Sequence, residues 1–367
     1  IDGKKGKIYD KIFFDQLIFS PDSNHYAYPA ISEGKQFVVL DGKKSALYKG
    51  IMENSLSFSP DSQHFGYVAY NKGKWFAVID QQAGLKHDKI AKNGIIFSPD
   101  SKRYAYGAFD RNKWKVILDN QPLKKYDYLS ANPEHFLFSP NSEHFTYVAF
   151  KKKNGTKRPV LIKNRKEIKE FEQIDEIVYS PDSKQLFYVG TEKNQEKVFS
   201  NDKLIGSYDH VLEISSTNSK LTLSTDNKNF AYSVMINDKI YIIKNGKIEG
   251  GPYMAIGYLG FGPGGKKFIS IVKKEKKWFV NIDKKQSKPH NAVYPDWKFS
   301  PDGTQLFYRI KDSKKQYLVI NNSTKDQGHH NISMNSLTFS PDSNHFAYAV
   351  ITAKNTYKKV NRFNKTM

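Results

Sequence analysis

At 367 residues the chain is long enough for two or three ordinary domains, it carries a formal net charge of +21, and it contains no Cys. The lack of Cys excludes a disulfide framework and thiolate chemistry, and no run approaches the ~20 apolar residues of a membrane-spanning helix. Lys supplies nearly all of the positive charge and Arg is scarce, which counts against nucleic-acid readout, where Arg makes the bidentate phosphate and base contacts.

The chain opens at Ile1-Asp2-Gly3-Lys4, which matches the later Leu40-Asp41-Gly42-Lys43. It therefore starts in mid-repeat, and a removed or preceding segment, such as a signal peptide, is expected. Lys7–Ile12 is expected to be a strand. Tyr/Phe-Ser-Pro-Asp then recurs at Phe19–Asp22, Phe58–Asp61, Phe97–Asp100, Tyr179–Asp182, Phe299–Asp302 and Phe339–Asp342. A near copy runs from Phe138 to Asn141, and two degenerate copies run from Leu223 to Asp226 and from Phe261 to Gly264. The nine copies stand 38 to 44 residues apart. A period near forty with strand-like residues between copies predicts a β-propeller.

One repeat shows the expected blade. Ser55–Ser59 is strand A. Pro60-Asp61-Ser62 is a turn, in which Pro presets φ and the Asp carboxylate accepts from nearby backbone N–H groups. His64–Tyr70 is strand B, Asn71–Lys74 a hairpin loop and Trp75–Asp80 strand C. Leu85–Ile90 is strand D, and Ala91–Gly94 leads into the next strand A. Strand C recurs as Phe37–Asp41, Trp114–Asp119 and Trp278–Asp283, and no segment keeps a helical period. The C-terminal segments Asn335–Ser340, His345–Thr352 and Thr356–Asn361 read as strands A, B and C. With a strand D from the N-terminus they would complete a composite blade from about 1–12 and 335–361, hiding two sheet edges. The expectation is one all-β propeller domain over 1–367 with nine blades, or eight if the weak copies at Leu223 and Phe261 do not form blades.

Ile96-Phe-Ser-Pro-Asp-Ser-Lys-Arg-Tyr-Ala-Tyr106 and Trp297-Lys-Phe-Ser-Pro-Asp-Gly-Thr-Gln-Leu-Phe-Tyr308 resemble the PD40, or WD40-like, β-propeller repeat of bacterial proteins. The resemblance covers the whole chain. It extends to the propeller halves of TolB-type translocation proteins and prolyl-oligopeptidase-type peptidases, without the second domains of either. It implies that strand A is innermost and strand D outermost, and that the protein is exported, periplasmic or in the cell envelope, with a cytoplasmic location as the alternative.

The repeated motifs offer no catalytic or metal-binding set. Asp22, Asp61, Asp100, Asp182, Asp302 and Asp342 occupy one register on successive blades and read as turn caps, since they are spread too far apart to share an ion. His25, His64, His144 and His345 also share one register, so they do not converge as zinc ligands. Gly257–Gly265 lacks the Lys-Ser/Thr of a phosphate loop, and no Gly-x-Ser-x-Gly elbow occurs. No cofactor is expected.

The loops between motifs are the better candidates. The B–C loops are basic, with Lys35, Lys74, Lys113 and Lys277 just before strand C and clusters at Lys152, Lys157 and Arg158 and at Lys274. The D–A loops carry Glu53, Glu134, Asp175 and Asp296, with Tyr258 and Tyr294 nearby. These fourteen residues are the expected partner-binding set. The leading expectation is a non-catalytic interaction scaffold whose partner is another, acidic protein within a larger assembly. A hydrolase or lyase acting on glycans or peptides would need two of the four acidic residues to converge. A Lys-rich rim holding a polyanion, such as nucleic acid or an anionic glycan, is the third reading.

Overall fold

The structure, a computed structural model, describes residues 7–214, 218–324, 328–351 and 357–363. Nearly all of its regular structure is β, and the described strands form nine antiparallel sheets in chain order. The second sheet shows the plan. Strand B, Phe65–Asn71, pairs on one side with strand C, Lys74–Ile79, which pairs with a short strand D, Gln82–Ala83. On its other side lies strand A in two pieces, Gly50–Ile51 and Ser57–Phe58. This four-stranded meander is the blade of a β-propeller. Both weak repeats form sheets: Leu221–Leu223 pairs with Phe230–Ile236, and Ala255–Phe261 with Phe268–Lys274.

The chain forms two compact units, 1–186 and 187–367, with the boundary inside the fifth sheet's strand B, Leu186–Glu192. Sheets one to four lie in the first unit and sheets six to nine in the second. Within each unit the core lies between successive sheets. Ala27 and Val38 of the first sheet pack with Tyr67, Ala69, Phe76 and Val78 of the second. In the second unit, Ile269, Ile271, Val280 and Ile282 pack with Leu306, Tyr308, Ile310 and Val319. The alternating β pattern supplies one apolar residue in two to each face, and each large side chain so buried contributes about 1.5–3 kcal/mol.

The Ser-Pro-Asp turn or a variant of it builds one end of each blade, the seventh having Gly262-Pro263-Gly264 in its place. In the second sheet the buried Ser59 hydroxyl donates to Asp61 Oδ1 at 2.5 Å and accepts from the His64 amide at 2.9 Å. Asp61 Oδ1 also accepts from the Gln63 amide at 3.0 Å. These bonds hold the Asp61 carboxyl below its ordinary pKa, the Ser59 hydroxyl being the main cause. The degenerate copy from Leu223 to Asp226 keeps the device, with Ser224 Oγ donating to Asp226 Oδ1 at 2.5 Å; the copy from Phe261 to Gly264 has neither the Ser nor the Asp.

The residue after the turn Asp, or after Asn141, is left-handed: φ is 64° at Ser62 and Ser101, 65° at Ser142 and 60° at Ser343. A side chain there costs roughly 1–2 kcal/mol, yet Ser recurs because its hydroxyl links neighbouring turns. The Asp22 amide donates to Ser62 Oγ at 3.1 Å, the Asp61 amide to Ser101 Oγ at 3.0 Å and the Asp100 amide to Ser142 Oγ at 2.9 Å. The seventh turn has Gly265 instead, where a Cβ would come within 2.5 Å of Asp226 Oδ1. Ser62→Ala should therefore cost about 1 kcal/mol, the worth of one such bond. Ser62→Gly loses the same bond but recovers about as much from relief at positive φ. Urea unfolding should place Ser62→Gly near the parent; an equal loss in both variants would show that φ does not set the cost.

Three strand assignments differ from the sequence reading. Leu85–Ile90 is strand D only in part: after Gln82–Ala83, His87 still bridges Trp75 of strand C, whereas Lys89–Ile90 already pair with Phe109 and Ala108 as the next strand A. Ala91–Gly94 therefore lies inside strand A rather than before it. Likewise Lys11 and Ile12 pair with Ile31 and Ala30 as the first sheet's strand A. The N-terminal part of the composite blade would have to come from earlier residues, of which 1–6 lie outside the described residues. The last sheet contains Asn331–Phe339, His345–Ile351 and Tyr357–Phe363, close to the predicted A, B and C strands. Thr352 and Thr356 lie outside the described residues.

Candidate functional site

The predicted D–A loops are insertions within strand A. In the second sheet Ile51 pairs with Ala69 and Ser57 with Gly66, so five residues, 52–56, stand opposite two. The insertion satisfies its own backbone. The Met52 amide donates to the Val68 carbonyl, the Ser55 amide to the Met52 carbonyl, and the Val68 amide to Ser55 Oγ. The first sheet carries the single turn Phe14–Gln16 at this place and the fourth carries Pro133–His135. The fifth and seventh sheets run through it as continuous strands, Gln173–Tyr179 and Ala255–Phe261. This part of the blade varies from repeat to repeat, while the Ser-Pro-Asp end departs from its pattern most at the seventh turn.

Several predicted rim cations are occupied in joining blades. Lys74 pairs with Asp88, whose other oxygen accepts from the Arg111 amide of the next hairpin. Lys113 pairs with Asp127 at 2.5 Å, and Asp127 accepts from the Lys152 amide. Each Asp carboxyl is held below its ordinary pKa, by its Lys first and by that amide second. The Lys-x₁₃-Asp spacing thus serves the joint between successive sheets. Lys277 donates to Asn291, so its charge is not neutralised there. Lys157 lies 4.0 Å from the Tyr128 ring centre, Arg158 pairs with Glu172 at 3.6 Å, and Lys274 lies 5.5 Å from the Tyr253 ring centre. The side chains of Lys35 and Lys152 are exposed.

The acidic residues divide among different sheets. Glu134 sits exposed in its 3₁₀ turn, its amide capped by Asn132 Oδ1 at 3.0 Å. The neighbouring His135 is buried, and its Nε2 lies 3.2 Å from the Asp175 carbonyl oxygen. The Asp175 carboxylate is bonded by Gln173. Among the described residues no three His, Asp or Glu side chains gather to hold a metal.

Asp296 makes a defined site in the second unit. Its carboxylate pairs with Arg309, whose guanidinium lies 4.1 Å from the Tyr294 ring centre. Arg309 also donates to Gln316 Oε1 at 3.0 Å and to the Ile332 carbonyl at 2.7 Å. Beside it Tyr258 packs on Trp297, ring centres 3.9 Å apart, and burial raises the Tyr258 pKa.

Glu53 lies elsewhere, in the first unit. It lines a cavity of about 400 Å³ with Lys11, Phe13, Asp15, Gln16, Pro29 and Gln36. Gln36 Oε1 accepts from the Ile51 amide at 2.6 Å, and Lys11 Nζ stands 4.8 Å from the Phe13 ring centre. The volume is in the range of small-ligand pockets. The sequence reading missed Gln36, Gln316 and Arg309. The available signal was the second residue of strand C, which is Trp75, Trp114 and Trp278 in other sheets but Gln36 and Gln316 here.

No family model matches the chain, and no curated protein matches it in sequence. Solved structures that resemble it include a eukaryotic initiation factor, at 12% identity over 89% of this chain and 90% of that one, with a TM-score of 0.42. The β-propeller domain of the Trilobed protease from Pyrococcus furiosus matches at 11% identity over 76% and 98% of the two chains, TM-score 0.35. TolB from Acinetobacter baumannii matches at 17% identity over 83% and 77%, TM-score 0.29. These are distant similarities of fold.

Proposed function

We propose that this chain is a non-catalytic interaction scaffold that binds a protein partner through its B–C hairpins and strand-A insertions. The observation that carries the reading is the contrast between the two parts of the blade. In every turn but the seventh the Ser hydroxyl makes the same bond to the Asp or Asn two residues on, whereas the insertions differ in length, charge and aromatic content. A surface that serves only the fold has no need of that variety, and recognition sites concentrate in loops held by a rigid scaffold. The exposed Lys35 and Lys152, with Lys274 and Lys277, suit an acidic partner. The pairing of Lys74 and Lys113 with Asp88 and Asp127 lessens the case for a continuous polyanion-binding rim. An exported setting in the cell envelope fits this role and the absence of Cys.

Cross-linking in the native source, followed by mass spectrometry, identifies the partner and maps its contacts. Cross-links should fall on the hairpin Lys residues and spare Lys102 and Lys184 beside the Ser-Pro-Asp turns. The triple variant Lys152→Glu, Lys274→Glu, Lys277→Glu should weaken that complex at least tenfold at low salt and flatten its salt dependence. Unchanged affinity, or cross-links centred on the turns, would remove the proposal.

A further inference from the structure

We propose that the cavity between the first and second sheets is a binding site for a guanidinium group, the side chain of an arginine or a small guanidino compound. This goes beyond the scaffold reading and stands without it. Two places in the repeat present the same set of groups, one filled and one open.

In the eighth sheet the slot is filled by the chain's own Arg309. An aromatic face (Tyr294), a carboxylate (Asp296) and a Gln oxygen (Gln316) receive the guanidinium. The first sheet presents the same set in the same register. The Tyr294 amide donates to the Arg309 carbonyl at 3.0 Å, and the Phe13 amide to the Pro29 carbonyl at 3.1 Å. Phe13 thus stands where Tyr294 does, and Pro29 stands where Arg309 does. Gln36 corresponds to Gln316: each accepts on Oε1 from the first amides of the following strand A, Ile51 at 2.6 Å and Ile332 at 3.0 Å. Asp15 lies two residues after Phe13, as Asp296 lies two after Tyr294. The first slot also gains a second carboxylate, Glu53, from the next strand A.

What differs is the occupant. Pro29 has no long side chain, and Gln36 replaces the Trp found at that place in the second, third and seventh sheets. Together these two substitutions leave the 400 Å³ cavity. Pro is tolerated in the middle of strand B here because the strand-A insertion has left that point of the ladder. In the second sheet the equivalent Val68 amide needs the Ser55 hydroxyl, at 3.1 Å. The exposed Asp15 and Glu53 stand at the mouth, where they draw in a cation, and a planar guanidinium stacks on an aromatic ring while pairing with a carboxylate. Lys11, over the Phe13 ring, is the resident cation that a guest must meet.

The test is calorimetric titration of the intact chain with methylguanidinium, with N-acetyl-L-arginine amide and with free L-arginine. Urea, of the same shape but uncharged, serves as control. Saturable binding of methylguanidinium is expected with a dissociation constant on the order of 1 mM, and urea should bind at least tenfold more weakly. The double variant Asp15→Asn, Glu53→Gln should weaken binding at least tenfold, and Lys11→Ala should strengthen it severalfold. Pro29→Arg, which copies the eighth sheet, should abolish binding by filling the slot; if that variant does not fold, Phe13→Leu should weaken binding severalfold. Comparable binding of capped and free arginine points to a protein side chain as the natural guest, and clear preference for the free amino acid points to a small molecule. The proposal is overturned if no guanidinium binds, or if binding is indifferent to the Asp15 and Glu53 changes.

Discussion

Ser59→Ala is expected to lower the unfolding free energy by about 3 kcal/mol, far more than an ordinary Ser→Ala change, because one buried hydroxyl serves two neighbours. It accepts from the His64 amide at 2.9 Å and donates to the Asp61 carboxylate at 2.5 Å. Alanine leaves the amide unpaired in a site where Ser59 itself is fully buried, so no water takes the place of the hydroxyl. A pH signature separates this account from simple loss of packing. The Asp61 pKa is lowered in the folded state, chiefly by Ser59. A depressed carboxyl contributes stability that is complete above its unfolded pKa, near 4, and is lost as the pH falls through the folded value. Parent stability should therefore fall on acidification below pH 4 more steeply than that of Ser59→Ala, whose Asp61 lies nearer its unfolded pKa. The gap between the two in urea unfolding should narrow between pH 5 and pH 3. A constant gap would mean that the bond to Asp61 is worth little.

The turn could be read from the sequence because all its chemistry is local. Ser59, Asp61 and His64 meet within six residues, and Pro60 fixes the approach. The broken strand A could not. Residues 50–51 and 57–58 join one strand only because Val68, on the facing strand, accepts from Met52 and donates to Ser55; nothing in the spacing alone reveals that closure. The partners of two rim lysines were hidden for a related reason. Lys74 and Asp88, or Lys113 and Asp127, are fourteen residues apart, and they meet only when one sheet is laid against the next. The paired slots were half legible. A Gln in place of Trp at positions 36 and 316 is visible in any alignment of the repeats. Its meaning needed Arg309 and Pro29, which lie on strand B and join the slot only through the β register.

Asp110→Ala should be costlier still in acid, because Asp110 holds together a buried network between the second and third sheets. Its Oδ2 lies 2.7 Å from His87 Nδ1 and 2.8 Å from Lys115 Nζ, and its Oδ1 accepts from the Asp88 amide at 3.0 Å. His87 is 1% exposed and the Lys115 side chain 14%. Burial pushes the Asp110 carboxyl up, but Lys115, His87 and the Asp88 amide outweigh it and bring the pKa down to about 2. Removing the carboxylate strands a mostly buried ammonium and an imidazole, and a loss of about 3 kcal/mol is expected near neutral pH. Asp110→Asn keeps an acceptor without the charge and should lose roughly half as much. The sign of the pH effect follows from His87. Burial lowers its pKa, against the pull of Asp110. A depressed imidazole contributes stability that is complete above the unfolded value of about 6.5 and is lost as the pH falls through the folded one. Without Asp110 nothing offsets burial, so the folded pKa drops further and the loss runs deeper. The difference in stability between parent and Asp110→Ala should widen as the pH falls below about 6.5 toward 4, once the parent's His87 takes up its proton while the variant's does not. If it stays constant, His87 is not coupled to Asp110 and the network is a set of independent contacts.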